Sequence, residues 1–207
     1  MKNYKYKIDH DYGLAPNPFG GFCTLAVCKS DIRKSSNLEI GSWIFGIGAK
    51  SVGEQYFQKL IFCMKVEEKL TFNEYWNDSR FQYKKPIING SLVQMYGDNF
   101  YHQDENNNWI QENSAHSLVN GIPNETHLKR DTSGEFVLIS KENFYYWGDK
   151  AIIVPDEYKS AICTDTRNRA FAEPKEIVDE FIMWLEDRHE KGVLLGDPIS
   201  WSVHLNK

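Results

Sequence analysis

WIFGIGAKSVGEQYFQKLIFCMKV, residues 43–66, is the stretch whose reading decides the fold. Trp43–Gly48 and Leu60–Val66 are short runs rich in β-branched, aromatic and sulfur-containing residues, separated by a polar, glycine-punctuated segment carrying Lys50. Runs of this length with turn residues at their ends predict a strand and a return strand. The same signature recurs outward at Tyr4–Ile8, Phe22–Val27, Phe136–Ser140, Phe144–Trp147 and Ala151–Val154. Two helices stand against these strands. Thr71-Phe72-Asn73-Glu74 has the form of a capping box and predicts a helix over Phe72–Asp78. Pro174–Lys191 carries Pro in its first turn, Glu176, Asp179 and Glu180 early, Arg188, His189 and Lys191 late, and Gly192 as a stop. Its apolar face is Ile177, Phe181, Trp184 and Leu185, with Val178 and Ile182 beside it. A doubly wound fold needs a helix after nearly every strand. The pattern therefore predicts an α+β fold: a mixed, curved β-sheet or small β-barrel with peripheral helices and a C-terminal helix.

The 207 residues, 41% of them hydrophobic, suffice for one domain with its own core. The expected layout is a single domain over 1–207, with a β-rich core at 1–160 and a C-terminal helix and tail at 171–207. No apolar run approaches the roughly 20 residues that span a bilayer. MKNYKYKIDH at the start lacks a signal peptide's apolar core. The expectation is a cytoplasmic protein without a membrane partner. Cys23, Cys28, Cys63 and Cys163 sit mostly in apolar runs and form no CxxC pair, so they read as reduced core thiols. A net charge of −5 argues against bulk binding of long nucleic acid and predicts weak affinity for unmodified duplex DNA.

Chemistry-bearing residues gather in two non-periodic stretches. DYGLAPNPFGGFCTLAVCK, residues 11–29, crowds prolines and glycines ahead of a strand. The region 89–132 reads as a long functional loop, with Glu105-Asn106-Asn107-Asn108 as a solvated tip. Within it, Tyr96-Gly97-Asp98-Asn99 and Tyr101-His102 place an acid, an amide, an imidazole and two phenols close together, either to hydrogen-bond a base or to move protons. A turn capped by Asp98 is the alternative. Asp98, His102, His116 and Asp131 match no diagnostic metal spacing, and no metal or cofactor is assigned. Ser114, His116 and Cys23 offer nucleophile and base types that nothing in the sequence ties together. Lys29, Arg33 and Lys34 follow the second strand and Lys50 follows Gly46-Ile47-Gly48, suiting a phosphate or simply solvated strand ends; GIGAK lacks P-loop spacing.

DYGLAPNPFGGFCTLAVCKSDIR, IGSWIFGIGAK, LIFCMKVEEKLTFNEYWNDSRF, GSLVQMYGDNFYH and HSLVNGIPN together resemble the bacterial and phage family called nucleotide modification associated domain 2, Nmad2. The resemblance covers residues 3 to about 155. It implies a nucleotide- or modified-base-binding protein tied to nucleotide modification or phage defence. The order of Ile40-Gly41-Ser42, Trp43–Gly48, Lys50 and Leu60–Val66 is also similar to the barrel core of PUA-like domains, the ASCH, EVE and YTH relatives, several of which hold an extruded base in an aromatic pocket. That analogy implies Asn17 at a polar base edge with Phe19 or Tyr12 stacking. The non-periodic stretches themselves add Asp98 at a base edge and Tyr101 stacking, and the basic side chains Lys50, Arg33 or Arg167 at phosphate. Thr24, Tyr96 and Asn99 complete the candidate set. The plainer alternative has Phe19 plugging a barrel end and Asn17 capping its own turn. Two further classes stay open: an enzyme acting on a base or nucleotide through Asp98, His102 and His116, and a structural or toxin–defence partner protein using the C-terminal helix.

Overall fold

In the computed structural model, which describes residues 1–202, the 43–66 stretch lies at the centre of an open sheet. The chain divides into unit 1, Met1–Tyr12, Ser36–Glu67 and Ser140–Lys207, and unit 2, Gly13–Ser35 and Glu68–Ile139. With elements numbered along the whole chain, unit 1 holds β1 (Tyr4–Ile8), β3 (Trp43–Gly48), β4 (Lys59–Lys65), β9 (Phe144–Tyr146), β10 (Ile152–Ile153), β11 (Ala170–Phe171), α5 (Asp156–Ile162) and α6 (Lys175–Glu186). Unit 2 holds β2 (Cys23–Leu25), β5 (Glu68–Thr71), β6 (Tyr101–Gln103), β7 (Trp109–Gln111), most of β8 (Phe136–Ser140), α1 (Ser30–Arg33), α2 (Phe72–Asn77), α3 (Leu92–Met95) and α4 (Glu125–Thr132).

The sheet of unit 1 is six-stranded, in the order β10-β4-β3-β1-β11, with β9 also pairing with β4. β1 and β3 run parallel, β3 and β4 antiparallel with a register shift at Gly46/Ile47, so the sheet is mixed. Gly46 and Gly48 explain the Gly-Ile-Gly signal: a Cβ on Gly46 would lie 2.2 Å from the Phe62 ring, and one on Gly48 would lie 2.1 Å from the Tyr56 carbonyl oxygen. Trp43, Phe45, Ile47, Leu60 and Cys63 of the sheet form one core with Val178, Phe181, Ile182 and Leu185 of α6. Full burial of a side chain such as Phe181 or Leu185 stabilises by about 1.5–3 kcal/mol.

The α+β reading therefore stands, as a mixed open sheet with peripheral helices. The barrel alternative does not: β10 and β11 end the sheet and pair only with β4 and β1 among the described residues. α6 stops at Glu186, leaving Arg188, His189 and Lys191 beyond its end. The last residues of the 171–207 tail lie outside the described ones. No helix among the described residues is long and apolar enough to cross a membrane.

Unit 2 has a three-stranded sheet, β2-β8-β5, and a β6–β7 hairpin. The predicted capping box opens α2: Thr71 Oγ1 accepts from Glu74 N at 3.3 Å and Glu74 Oε2 accepts from Thr71 N at 2.7 Å. The 89–132 region is not one long loop. It builds α3, β6, β7 and α4, elements so short that they carry almost no periodicity. Its tip behaves as predicted, with Asp104 Oδ1 accepting from Asn106 N and Asn108 N, both at 2.8 Å.

Candidate active site

Unit 2 contains two buried polar clusters. The first is organised by the 11–29 stretch. Asn17 and Thr24 exchange backbone hydrogen bonds of 2.8 and 2.9 Å and close the Pro-Asn-Pro-Phe-Gly-Gly loop. At Gly20, φ is +69° and an added Cβ would meet the Tyr83 ring at 2.1 Å, so only glycine fits. The Lys84 ammonium, 1% exposed, reaches Asn17 O (2.9 Å), Asn17 Oδ1 (2.7 Å), Thr24 Oγ1 (3.0 Å) and Phe22 O (3.1 Å). Asp98 accepts from Thr24 Oγ1 at 2.6 Å and from Tyr75 OH at 2.7 Å. Asn17 Nδ2 donates to Tyr96 O at 3.1 Å. Burial pulls the Lys84 ammonium down to about 8 against the pull of Asp98, and burial raises the Asp98 carboxyl. Burial also pushes the Cys23 thiol up to about 12.

The second cluster begins where β2 hands over to α1. Cys28 and Lys29 have left-handed backbones, φ 56° and 40°, a conformation that non-glycine residues hold only when their surroundings impose it. Arg33 imposes it here. Its buried guanidinium donates to Cys28 O (2.9 Å), Phe136 O (2.8 Å) and Asp131 O (2.5 Å), passing where a Cβ on Gly134 would lie 2.4 Å from its Cζ. α4 contributes from the other side. Its N-cap Asn124 accepts from His127 N, and helical spacing puts His127 and Asp131 one turn apart on one face.

Asp131, wholly buried, is the hub. Its Oδ1 accepts from Cys28 N (3.1 Å) and Arg130 Nε (2.9 Å); its Oδ2 accepts from Tyr101 OH (3.1 Å) and lies 2.7 Å from His116 Nδ1. The other ring nitrogen of His116, Nε2, stands 3.9 Å from Cys28 Sγ, within hydrogen-bond reach for sulfur. A half-buried thiol, an imidazole and a buried carboxylate thus lie in line. Burial disfavours the His116 cation, yet the hydrogen bonds to Asp131 and Cys28 raise the imidazole to about 9. Burial alone would raise Asp131, but His116 and Arg130 hold it well below the usual carboxylate range. The line is that of an activated nucleophile: a thiol, a base within reach, and a third group orienting the base. Beside it, the His127 ring packs edge-on against His116 at 4.6 Å, and its Nδ1 is buried without a partner.

A family model described as nucleotide modification associated domain 2 matches residues 1–205. The chain belongs to that family. No curated protein and no solved structure matches it.

In this Nmad2 chain the sequence-predicted residues fall into several settings. Asn17, Thr24, Tyr96 and Asp98 do come together, in the Lys84 cluster. Phe19 is buried, and its carbonyl accepts from Tyr83 OH at 2.8 Å. Asn99 donates to Tyr75 O and Phe81 O, while its Oδ1 is buried without a partner. Arg33, Tyr101 and His116 belong to the Cys28 cluster. His102 stacks on Trp76 at 4.1 Å and lies 2.8 Å from Glu112, so Asp98, His102 and His116 have separate partners and form no common group. Tyr12, Lys50 and Arg167 lie in unit 1. Lys50 covers the Phe57 ring, Arg167 pairs with Asp9, and Tyr12 borders a cavity of about 380 Å³. Nothing local in the sequence marks Cys28 as a nucleophile or Asp131 as its orienting acid. Among the described residues no group of three or more His, Cys, Asp or Glu is placed to hold a metal ion.

Proposed function

We propose that this Nmad2 chain is an enzyme of nucleotide or base modification whose nucleophile is Cys28. The observation that carries the reading is the Cys28 Sγ–His116 Nε2–Asp131 line, 3.9 and 2.7 Å long. With the imidazole held at about 9, the proton shared with Cys28 rests on His116 Nε2 at neutral pH, and Sγ attacks an electrophilic carbon from beside the imidazolium. Asp131 accepts from Nδ1–H and so keeps the Nε2 edge of the ring aimed at sulfur. Tyr101 and Arg130 hold Asp131 charged and oriented. The link to nucleotides rests on family membership, the link to chemistry on the geometry.

The test is alkylation by iodoacetamide, followed residue by residue by mass spectrometry at neutral pH. Cys28 is expected to react ahead of Cys23, Cys63 and Cys163, and its rate to fall on the order of tenfold in His116→Ala. An equal, His116-independent rate at all four thiols overturns the reading.

A second reading, recognition of a base without chemistry, draws on the unit 1 cavity, whose lining includes Tyr12, Tyr56 and Trp201. Asp9, Asp149 and Asp197 share that lining, so it suits an uncharged base or nucleoside better than a phosphate. Saturable binding of nucleosides by Cys28→Ser, lost in Tyr12→Ala, is the result that favours it.

A further inference from the structure

We infer that the electrophile of the Cys28 centre is the carbonyl carbon of an N-acyl amine or carboxamide, cleaved through a thioester on Cys28. The inference rests on the thiol-enzyme reading above and goes one step further, to the class of bond broken.

Two observations select this class. The first is the use of the cations. A thiol that attacks phosphorus needs guanidinium or ammonium groups directed at phosphoryl oxygens. Here the Arg33 guanidinium is engaged by three backbone carbonyls, and Arg130 is engaged by Asp131. The reacting group that fits is an uncharged one. The second is His127. Its Nδ1 is buried and has no partner, next to an imidazole that faces the thiol. A buried nitrogen left unsatisfied is costly, and an N–H brought in by substrate satisfies it. An ester has no such hydrogen; an amide or N-acyl amine does. The proton chemistry agrees: an imidazolium held near 9 is matched to a basic nitrogen leaving group.

The steps balance. With the proton of Cys28 already on His116 Nε2, a sulfur lone pair attacks the carbonyl carbon, whose π pair moves onto oxygen. Collapse restores C=O and breaks the C–N bond, and the Nε2 proton goes to the departing nitrogen. Free amine and a Cys28 thioester result. Water then gives a proton to Nε2 and attacks the thioester carbon. The C–S bond breaks, the carboxylic acid leaves, and the proton stays on Nε2 beside the freed sulfur, as at the start.

The full chain is incubated with N4-acetylcytidine and, separately, with p-nitrophenyl acetate, and intact mass and peptide mapping are followed over time. The expected result is an acetyl adduct on Cys28 with both donors, with cytidine released from the first and no adduct in Cys28→Ser. His127→Phe is expected to slow cytidine release about tenfold relative to its effect on the ester, the loss of one substrate hydrogen bond. His116-dependent alkylation of Cys28 with no acetyl transfer from either donor overturns the acyl assignment and leaves the thiol enzyme standing. Alkylation that ignores His116 removes both. Circular dichroism confirms that each variant is folded.

Discussion

The two polar clusters of unit 2 are built from the same residue types and differ in how completely they are closed. Around Lys84, the ammonium meets four oxygens, and both oxygens of Asp98 accept from hydroxyls. Around Asp131 the carboxylate is equally well satisfied, but the line it starts ends on a half-buried thiol, and His127 Nδ1 nearby stays unpartnered. A saturated network fixes a unique packing. A network that ends on a reactive atom is the kind that catalyses. The Lys84 cluster therefore supports the 11–29 loop, and the chemistry is proposed for the other cluster.

The sharpest way to break this contrast is to remove Asp98. Asp98→Ala leaves the Lys84 charge buried without its counter-charge and is expected to cost about 3–5 kcal/mol. Urea unfolding measures it, and the alkylation rate of Cys28 in the folded fraction should stay unchanged. Cys28→Ser should cost within about 1 kcal/mol while abolishing the thiol chemistry. A near-wild-type midpoint for Asp98→Ala would undo the assignment of the Lys84 cluster to stability.

The pH dependence separates the clusters next, because their slopes have opposite signs. The folded His116 imidazole, held at about 9 against 6.5 in the unfolded chain, contributes stability that is complete below 6.5 and lost as pH rises through 9. Lys84 goes the other way. Its folded value of about 8 lies below the unfolded 10.5, so between these the unfolded state binds more protons and stability rises with pH. The stability of wild type minus that of His116→Gln should therefore fall between pH 6.5 and 9. Wild type minus Lys84→Met should rise between 8 and 10.5. Parallel difference curves would show that the two clusters do not carry these charges.

Much of the fold was legible, because burial imposes a period on residues that serve one face. Trp43–Gly48 and the Thr71–Glu74 box follow from rules that act within a few residues. β6 and β7, three residues each, are too short to show a period, so 89–132 read as loop. The site was half legible. Asn17 and Asp98 stood out as polar residues in non-periodic segments, and those segments do meet, but sequence does not reveal whether a polar cluster closes on itself. Cys28 ended an apolar run and read as core, whereas the structure turns it out of the strand through a left-handed residue held by Arg33. Its partners come from positions 116 and 131, which no local spacing links. The available signal was His127-Leu128-Lys129-Arg130-Asp131, a histidine and an acid at helical spacing just after His116.

The smallest expected effect tests how Asp131 is held. Tyr101 OH donates to Asp131 Oδ2 at 3.1 Å and accepts from Gln111 Nε2 at 3.3 Å. Tyr101→Phe keeps the ring, which packs on Phe72 and Phe100, and deletes only the hydroxyl. The carboxylate retains Cys28 N, Arg130 and His116, so the line to the thiol survives with one fewer restraint. The stability loss should be about 1 kcal/mol, the net value of one buried hydrogen bond plus the exposed need of the Gln111 amide. The alkylation rate of Cys28 should fall by roughly twofold to threefold, because a looser Asp131 orients His116 less well without removing it. The equivalent deletion in the other cluster, Tyr75→Phe, removes the 2.7 Å donor to Asp98 and should cost stability without touching that rate. If both variants leave the rate alone, Tyr101 belongs with Tyr75 as a structural hydroxyl, and Arg130 and Cys28 N suffice to hold Asp131.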